Sequence, residues 1–212
     1  MKYEKARKTV LDAIQEAVEL GLVNGTSGNA AVLDAAERIV AITPSGIPYK
    51  GMTADQIAVV DLSGKWIDGP FKPSSELPMH LAVLTSREDV TATIHTHGMF
   101  ATIAAMCGEL LPVTPPHAEF VPVGIVPFIM PGTDELAEAV VKAFGGEGRA
   151  VLLSNHGMIC CGKDMPAAMT AAVYTEEMAA TAYYAKLLGV FQPLPADSIG
   201  TLKEFLAGSH AV

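Results

Sequence analysis

Two spacings of apolar residues alternate along the chain, and together they predict helices interleaved with strands. Residues 3–20 place Ala, Val, Ile and Leu at intervals of three and four, which predicts an amphipathic helix that Gly21 ends. Short apolar runs bounded by Gly, Pro, Asn or Ser predict strands elsewhere. The other predicted helices are 73–86, 100–105, 133–144, 166–188 and 199–207. The predicted strands are 30–33, 38–43, 57–61, 65–67, 91–97, 125–130, 150–154 and 157–161.

Most of the predicted strands are short, and several are joined as hairpins. Short strands interleaved with helices predict an α/β sandwich, in which helices cover a central mixed or antiparallel sheet. The sequence shows no internal repeat, low-complexity segment or linker-like stretch. We therefore expect one domain over residues 1–212.

Composition and charge narrow the possible function classes. Half of the 212 residues are hydrophobic and 17% are charged, which provides for a sizeable core and excludes a disordered chain. The formal net charge of −9 argues against a nucleic-acid partner. No run reaches the ~18 apolar residues that a membrane helix needs. The first residues lack a signal-peptide pattern, so we expect a cytoplasmic protein with no membrane partner.

Several chemically capable side chains are assigned structural roles at this point. The three cysteines are too few for a disulfide framework, and we expect buried thiols. His80 lies on a predicted helix, and we expect it to have a structural rather than a functional role. Tyr183 and Tyr184 lie on the longest predicted helix, where the apolar spacing indicates core positions; the alternative is a catalytic acid/base role for one of them.

Three histidines have positions that suit a metal ion. His95 and His97 lie two apart in a predicted strand, so their side chains leave the same face with Cα atoms ~6.5 Å apart. His156 lies in a turn between two predicted strands and could supply a third imidazole. Three protein nitrogens and an open position are typical of a catalytic zinc site. The alternative is coincidence, because a His-x-His pair or a histidine before glycine also occurs without a metal.

Small-residue loops at 26–29, 43–46 and 72–76 could bind a phosphate group. Glycine lets the backbone approach an anion, and hydroxyl and N–H groups at a helix start donate hydrogen bonds to it. Ordinary turn and N-cap chemistry explains each loop taken singly. Glu76, which ends the third loop, is either a carboxylate that favours the helix dipole or a metal ligand and proton carrier.

The order of these motifs resembles the class II aldolase/adducin family. The motifs are Gly-Asn at 28–29, Thr-Pro-Ser-Gly at 43–46, Ser-Ser-Glu at 74–76, His-Thr-His at 95–97 and Asn-His-Gly at 155–157. The resemblance covers about residues 5–190, and the members that act on fuculose 1-phosphate are the most similar. The resemblance implies an α/β/α sandwich around a mainly antiparallel sheet, and a homotetramer with active sites at the subunit interfaces.

The resemblance also implies a chemistry. Its aldolases are lyases that use one zinc ion per subunit, with Mn²⁺ or Co²⁺ as possible replacements. They cleave a ketose 1-phosphate into dihydroxyacetone phosphate and an aldehyde through a metal-stabilised enediolate. Matched residue by residue, the metal ligands are His95, His97, His156 and Glu76, and Glu76 is also the catalytic acid/base. The matched phosphate-binding residues are Gly28, Asn29, Ser45, Gly46, Ser74 and Ser75.

One stretch departs from the aldolase pattern. The family's aldolases carry a tyrosine soon after a histidine in the region of His117, whereas residues 116–120 read Pro-His-Ala-Glu-Phe, closer to the His-Ala-Asp-Tyr of the epimerases. Glu119 is therefore expected as a second catalytic acid/base that acts across an interface, or as a solvated loop carboxylate. Glutamate at position 76, where the epimerases usually carry aspartate, favours an aldolase. The alternatives are an epimerase, dehydratase or decarboxylase with the same metal site, and a non-catalytic adducin-like module.

Overall fold

A computed structural model describes residues 1–109, 114–189, 192–195 and 197–209. Its helices are α1 (Glu4–Glu19), α2 (Leu77–Ser86), α3 (Met99–Cys107), α4 (Asp134–Phe144), α5 (Met165–Leu187) and α6 (Ser198–Ser209). Its strands are β1 (Asn29–Asp34), β2 (Ile39–Ile42), β3 (Ala58–Asp61), β4 (Trp66–Asp68), β5 (Ala92–Thr96), β6 (Val123–Val126), β7 (Ala150–Leu153) and β8 (Gly157–Gly162). Short 3₁₀ helices cover Ala54–Gln56 and Pro115–Phe120.

The eight strands of the described residues form one mixed sheet in the order β4–β3–β2–β1–β5–β8–β7–β6. Neighbouring strands run antiparallel, except that β6 and β7 are parallel. The predicted, mainly antiparallel sheet is therefore confirmed. Because β5 lies between β1 and β8, the sheet brings three distant parts of the sequence side by side.

Helices cover both faces of this sheet because its strands are apolar on both sides. On one face α1, α3 and α5 pack against strand residues such as Ile94 and Leu152. On the other face α2 and α4 pack against residues such as Val151 and Ile159. Consecutive strand residues point to opposite faces, so the neighbours Val151 and Leu152 enter different cores. The α/β/α sandwich is confirmed.

Some side chains lie elsewhere than the sequence predicts. Tyr183 and Tyr184 were expected in the core, and this is wrong, because both are exposed; their rings are tilted against that of Phe100, with centroids 5.6 and 5.7 Å away. The fully buried positions of α5 end at Ala179, so its last turns extend beyond the core. Of the three cysteines, Cys107 is exposed rather than buried. Among the described residues, no helix combines the length and the apolar character needed to cross a bilayer.

Gly28 lets β1 begin directly against the end of β5. Its φ is +70°, and a Cβ there would lie 2.7 Å from the carbonyl oxygen of His95 and 2.9 Å from Val23 Cγ2. The hydroxyl of Tyr49 donates a 2.5 Å hydrogen bond to the Gly28 carbonyl. The positive φ and the close approach both require glycine, and they hold Asn29 in register opposite His95.

Gly28→Ala is expected to destabilise the protein more than Gly25→Ala does. Both positions have positive φ (Gly25, +64°), so alanine costs each about 1–2 kcal/mol. A Cβ on Gly25 meets open space, whereas one on Gly28 overlaps its neighbours, which is expected to add about 1–3 kcal/mol. Urea unfolding of the two variants measures the difference. Equal losses would contradict a tight contact between β1 and β5.

Candidate active site

The structure brings all four predicted metal ligands together at one end of the central strands. The candidate ligand atoms of Glu76, His95, His97 and His156 lie within 4.8 Å of one another. The three imidazole ring centres are 4.7, 4.7 and 5.2 Å apart. We call these four residues the metal cluster.

The sheet register explains why these side chains meet. β5 ends at Thr96, so His95 is its penultimate residue and His97 follows the strand directly. β8 pairs with β5 in antiparallel register and begins at Gly157, which places the preceding His156 beside His97. Any Cβ on Gly157 would overlap the Thr96 carbonyl and lie 3.1 Å from the His97 ring. Glycine therefore lets the two histidines approach each other.

The spacing of the ligand atoms fits a divalent metal ion. Nε2 of His95 lies 2.8 Å from Nε2 of His97 and 3.1 Å from Oε2 of Glu76, and Nε2 of His156 lies 3.3 Å from Glu76 Oε1. Ligands about 2.1 Å from a tetrahedral zinc ion lie about 3.4 Å apart. Oε1 of Glu76 is buried and has no hydrogen-bond partner among the described residues. A cation at this point would supply the partner that the oxygen lacks.

The protein also orients one imidazole for metal binding. Nδ1 of His95 lies 2.8 Å from the carbonyl oxygen of Met158, so Nδ1 carries the proton that it donates. Nε2 of His95 then presents its lone pair to the cluster. A backbone carbonyl behind a ligating histidine is a common device for fixing its tautomer and orientation.

The environment favours the forms that bind metal. Burial opposes the charge of Glu76, but the adjacent His95 and the hydrogen bond from Asn29 outweigh it and hold the pKa of this carboxyl well below its usual range. Burial, followed by the neighbouring imidazoles of His95 and His156, lowers the pKa of His97 to about 4. Burial and then His95 also lower the pKa of His156. Glu76 is thus ionised and His97 and His156 are neutral at neutral pH.

A row of polar groups continues behind Glu76, and sequence reasoning missed part of it. Asn29 contacts Glu76, His80 contacts Asn29, and Thr93 contacts His80. Burial and then His95 lower the pKa of His80 to about 3. Two spacings could have revealed the row: Glu76 and His80 are four apart at the start of α2, and Thr93 and His95 are two apart on β5.

Two of the predicted phosphate loops pair with each other next to Glu76. The backbone N–H of Ser45 donates to the Lys72 carbonyl at 2.9 Å, and that of Ser74 donates to the Thr43 carbonyl at 3.0 Å. Ser74 is buried, and its hydroxyl accepts a 3.2 Å hydrogen bond from the backbone N–H of Glu76. This pairing holds the two loops beside the start of α2.

The other predicted phosphate-binding residues differ in whether their hydrogen-bonding groups are free to bind a phosphate. Ser45, Gly46 and Ser75 are exposed, and the hydroxyls of both serines have no hydrogen-bond partner among the described residues. Gly28 is held within the fold, and both polar groups of the Asn29 side chain bond to protein atoms. Ser45, Gly46 and Ser75 are therefore the predicted residues whose hydrogen-bond donors are open to solvent.

Glu119 does not lie at the metal cluster of its own chain. It borders a cavity of about 500 Å³ together with Arg149, Lys163 and Gly162. Gly162 ends β8, whereas His156 precedes its first residue, so the length of that strand, about 16 Å, separates Glu119 from the cluster. The nearby His117 is buried.

Comparisons with known proteins agree with this geometry. The model of the Class II Aldolase and Adducin N-terminal domain family matches residues 8–183. The 5-deoxy-D-ribulose 1-phosphate aldolase of Bacillus thuringiensis is 34% identical, over 98% of both chains. The 5-methylthioribulose-1-phosphate/5-deoxyribulose-1-phosphate aldolase of Rhodospirillum rubrum is 36% identical, over 93% of this chain and 89% of its own. A solved L-fuculose 1-phosphate aldolase superposes with a TM-score of 0.90 at 33% identity, over 98% of both chains.

The extent of these matches and the three-histidine, one-glutamate cluster lead to the same assignment. Relatives above 30% identity cover nearly the whole chain, and the cluster supplies the ligands that metal-dependent chemistry requires. The chain belongs to the class II aldolase and adducin family, as a metal-dependent aldolase of the lyase class.

Proposed function

We propose that this protein cleaves a ketose 1-phosphate into dihydroxyacetone phosphate and an aldehyde, with zinc as its metal. The observation that carries the proposal is the ionised Glu76 within a cluster of three imidazoles, beside two paired loops with exposed hydroxyl groups. The relatives named above act on 5-deoxyribulose 1-phosphate, 5-methylthioribulose 1-phosphate or L-fuculose 1-phosphate. These three ketose 1-phosphates are the first substrates to test.

The proposed reaction divides the work between binding and proton transfer. When bound, a zinc ion supplies Lewis-acid stabilisation of the negative charge that develops on the dihydroxyacetone phosphate fragment. Ser45, Gly46 and Ser75 bind the phosphate from the paired loops, with Gly28, Asn29 and Ser74 supporting them. Binding the phosphate remote from the broken bond orients the reacting carbons and so lowers the barrier.

Glu76 is the proposed acid/base as well as the fourth metal ligand. In the direction of synthesis it accepts a proton from the hydroxymethyl carbon of dihydroxyacetone phosphate, and in cleavage it returns that proton. The low pKa of Glu76 keeps the carboxylate ionised, which is the form that can ligate a metal ion.

The proton on the aldehyde side needs a second group. We propose Glu119 for this role in the site of a neighbouring subunit, because in its own chain it lies at the opposite end of β8 from the cluster. This role requires an oligomer with active sites between subunits, such as the homotetramer that the family resemblance implies.

We also propose that residues 1–212 form a single domain.

Cleavage is tested with zinc-loaded protein and the three ketose 1-phosphates. Released dihydroxyacetone phosphate is followed by its enzymatic reduction with NADH, and the aldehyde is identified by mass spectrometry. Protein stripped with a chelator is the control, and its activity should return with zinc. The proposal would be overturned if none of the three ketose 1-phosphates released dihydroxyacetone phosphate. An epimerised ketose phosphate or a dehydrated product would assign the site to one of the rival reactions.

Glu76→Gln is expected to lower kcat by about 10²- to 10⁴-fold, because glutamine keeps the size of the side chain but does not accept the proton. The assay is run at saturating zinc, and metal content is measured so that kcat is expressed per loaded site. Glu88→Gln makes the same charge change at an exposed position and is expected to leave kcat unchanged. A loaded Glu76→Gln protein that retains more than a tenth of wild-type kcat would contradict the proton-transfer role.

Zinc binding is expected to persist at mildly acidic pH. A histidine of ordinary pKa, 6.5, loses about 16-fold in metal affinity between pH 6.5 and 5, because protons compete for its nitrogen. The pKa of His97, lowered to about 4, keeps this residue neutral across the range, and the lowered pKa of His156 reduces the competition from protons there. We therefore expect the loss of zinc affinity from these two histidines to stay well below that of two ordinary histidines. Competition with a chelator of known pH dependence measures this, and a loss of about 250-fold or more, as two ordinary histidines would give, would refute the pKa assignments.

A further inference from the structure

A buried row of four side chains supports the metal cluster from behind. The members are Thr93, His80, Asn29 and Glu76, and we call them the polar relay. Thr93 and His80 are fully buried, and Asn29 and Glu76 are 5% and 7% exposed. Thr93 Oγ1 lies 2.6 Å from His80 Nδ1, His80 Nε2 is hydrogen-bonded to Asn29 Oδ1, and Asn29 Nδ2 lies 2.9 Å from Glu76 Oε2. The relay joins α2, β5 and β1.

The chemistry at Glu76 sets the direction of every hydrogen bond in the relay. An ionised carboxylate only accepts, so Asn29 must present its NH₂ group to Glu76 and its carbonyl oxygen to His80. That oxygen only accepts, so His80 must donate from Nε2. A neutral imidazole has one N–H, so Nδ1 of His80 accepts from the hydroxyl of Thr93. Each donor and acceptor in the row then has one possible role.

The relay treats the two oxygens of Glu76 differently. Oε2 receives the hydrogen bond from Asn29, whereas Oε1 has no hydrogen-bond partner among the described residues. Each oxygen faces an imidazole of the metal cluster: Oε1 lies 3.3 Å from His156 Nε2, and Oε2 lies 3.1 Å from His95 Nε2. Because Asn29 occupies one lone pair of Oε2, Oε1 has more lone-pair capacity available for a metal ion or a proton.

We propose that His80 is a positioning residue, which fixes the amide orientation of Asn29 and thereby reserves Glu76 Oε1 for the metal and the transferred proton. The inference rests on the proposed function of Glu76 as ligand and base. Without the donor on His80, Asn29 loses what holds its amide in one orientation. The flipped amide would place a carbonyl oxygen against the carboxylate and remove a hydrogen bond that stabilises its charge. Partners behind ligating side chains typically contribute 10- to 100-fold to metal affinity or activity.

The first test reads the relay without any activity assay. Nitrogen-15 NMR of histidine-labelled protein distinguishes the two neutral tautomers of an imidazole, and a His80→Gln sample identifies the resonances of His80. We expect a neutral His80 protonated on Nε2, in both metal-free and zinc-loaded protein. A proton on Nδ1, or a doubly protonated ring at neutral pH, would overturn the proposed direction of the relay.

The second test measures proton transfer at the site. Zinc-loaded protein is incubated with dihydroxyacetone phosphate in D₂O without aldehyde, and exchange at the hydroxymethyl carbon is followed by proton NMR. His80→Leu, which has no donor, is expected to lower the exchange rate and kcat per bound zinc by 10- to 100-fold, with KM within about threefold of wild type. His80→Gln has an amide that can donate to Asn29 and is expected to recover most of the rate.

Thr93→Val provides a second variant of similar shape if His80→Leu does not fold. Removing the hydroxyl leaves Nδ1 of His80 without its donor, and a 3- to 30-fold loss in exchange is expected. Thr175→Val is the matched control, since Thr175 is another fully buried threonine and lies on α5, outside the relay; its exchange rate should equal that of wild type.

The outcomes separate the relay from the proposed function. If wild-type protein neither exchanges nor cleaves, the proposed function fails. The positioning role of His80 then fails with it, whichever tautomer His80 has. If wild-type protein is active and His80→Leu or Thr93→Val matches it per bound zinc, the positioning role alone fails. Equal losses in His80→Leu and His80→Gln would likewise assign His80 to packing and overturn the proposal.

Discussion

The structure depends on keeping one carboxylate charged while it is almost fully buried. An isolated buried charge costs several kcal/mol, and proteins retain it only with partners that compensate for the lost water. Glu76 has such partners on two sides: His95 and His156 approach from the cluster, and Asn29 donates from behind. Because these partners outweigh burial, the pKa of Glu76 is lowered and the carboxylate stays available to a metal ion.

The sheet order makes this arrangement possible. β5 carries His95 and lies between β1, which begins with Asn29, and β8, which follows His156. Glycines at the two strand starts allow the close approach that these neighbours need, since side chains there would overlap the backbone of β5. Glu76 enters from outside the sheet, at the start of α2. The fold thus delivers the ligands from separate elements to one rigid point, which suits a site that must orient a reacting bond.

Much of this could be predicted from the sequence, and what escaped prediction has physical reasons. Strand periodicity placed His95 and His97 on one face, and the order of motifs joined them to Glu76. The role of His80 was missed because a buried hydrogen-bond row depends on which helix faces which strand, which local spacing does not specify. Glu119 lies in the 3₁₀ helix Pro115–Phe120, beside the last residue of β8. Which end of β8 this helix lies against depends on the order of strands in the sheet, which local sequence does not specify.

The central claim is that three imidazoles and one carboxylate hold a single metal ion. X-ray absorption spectroscopy of zinc-loaded protein tests it most directly, because the fine structure reports the number and type of atoms around the metal. The account predicts three imidazole nitrogens at about 2.0–2.1 Å and one carboxylate oxygen in the resting protein. The His156→Ala variant should lose one imidazole from that shell. A spectrum with fewer than three imidazoles in the unmodified protein, or one unchanged in the variant, would contradict the account.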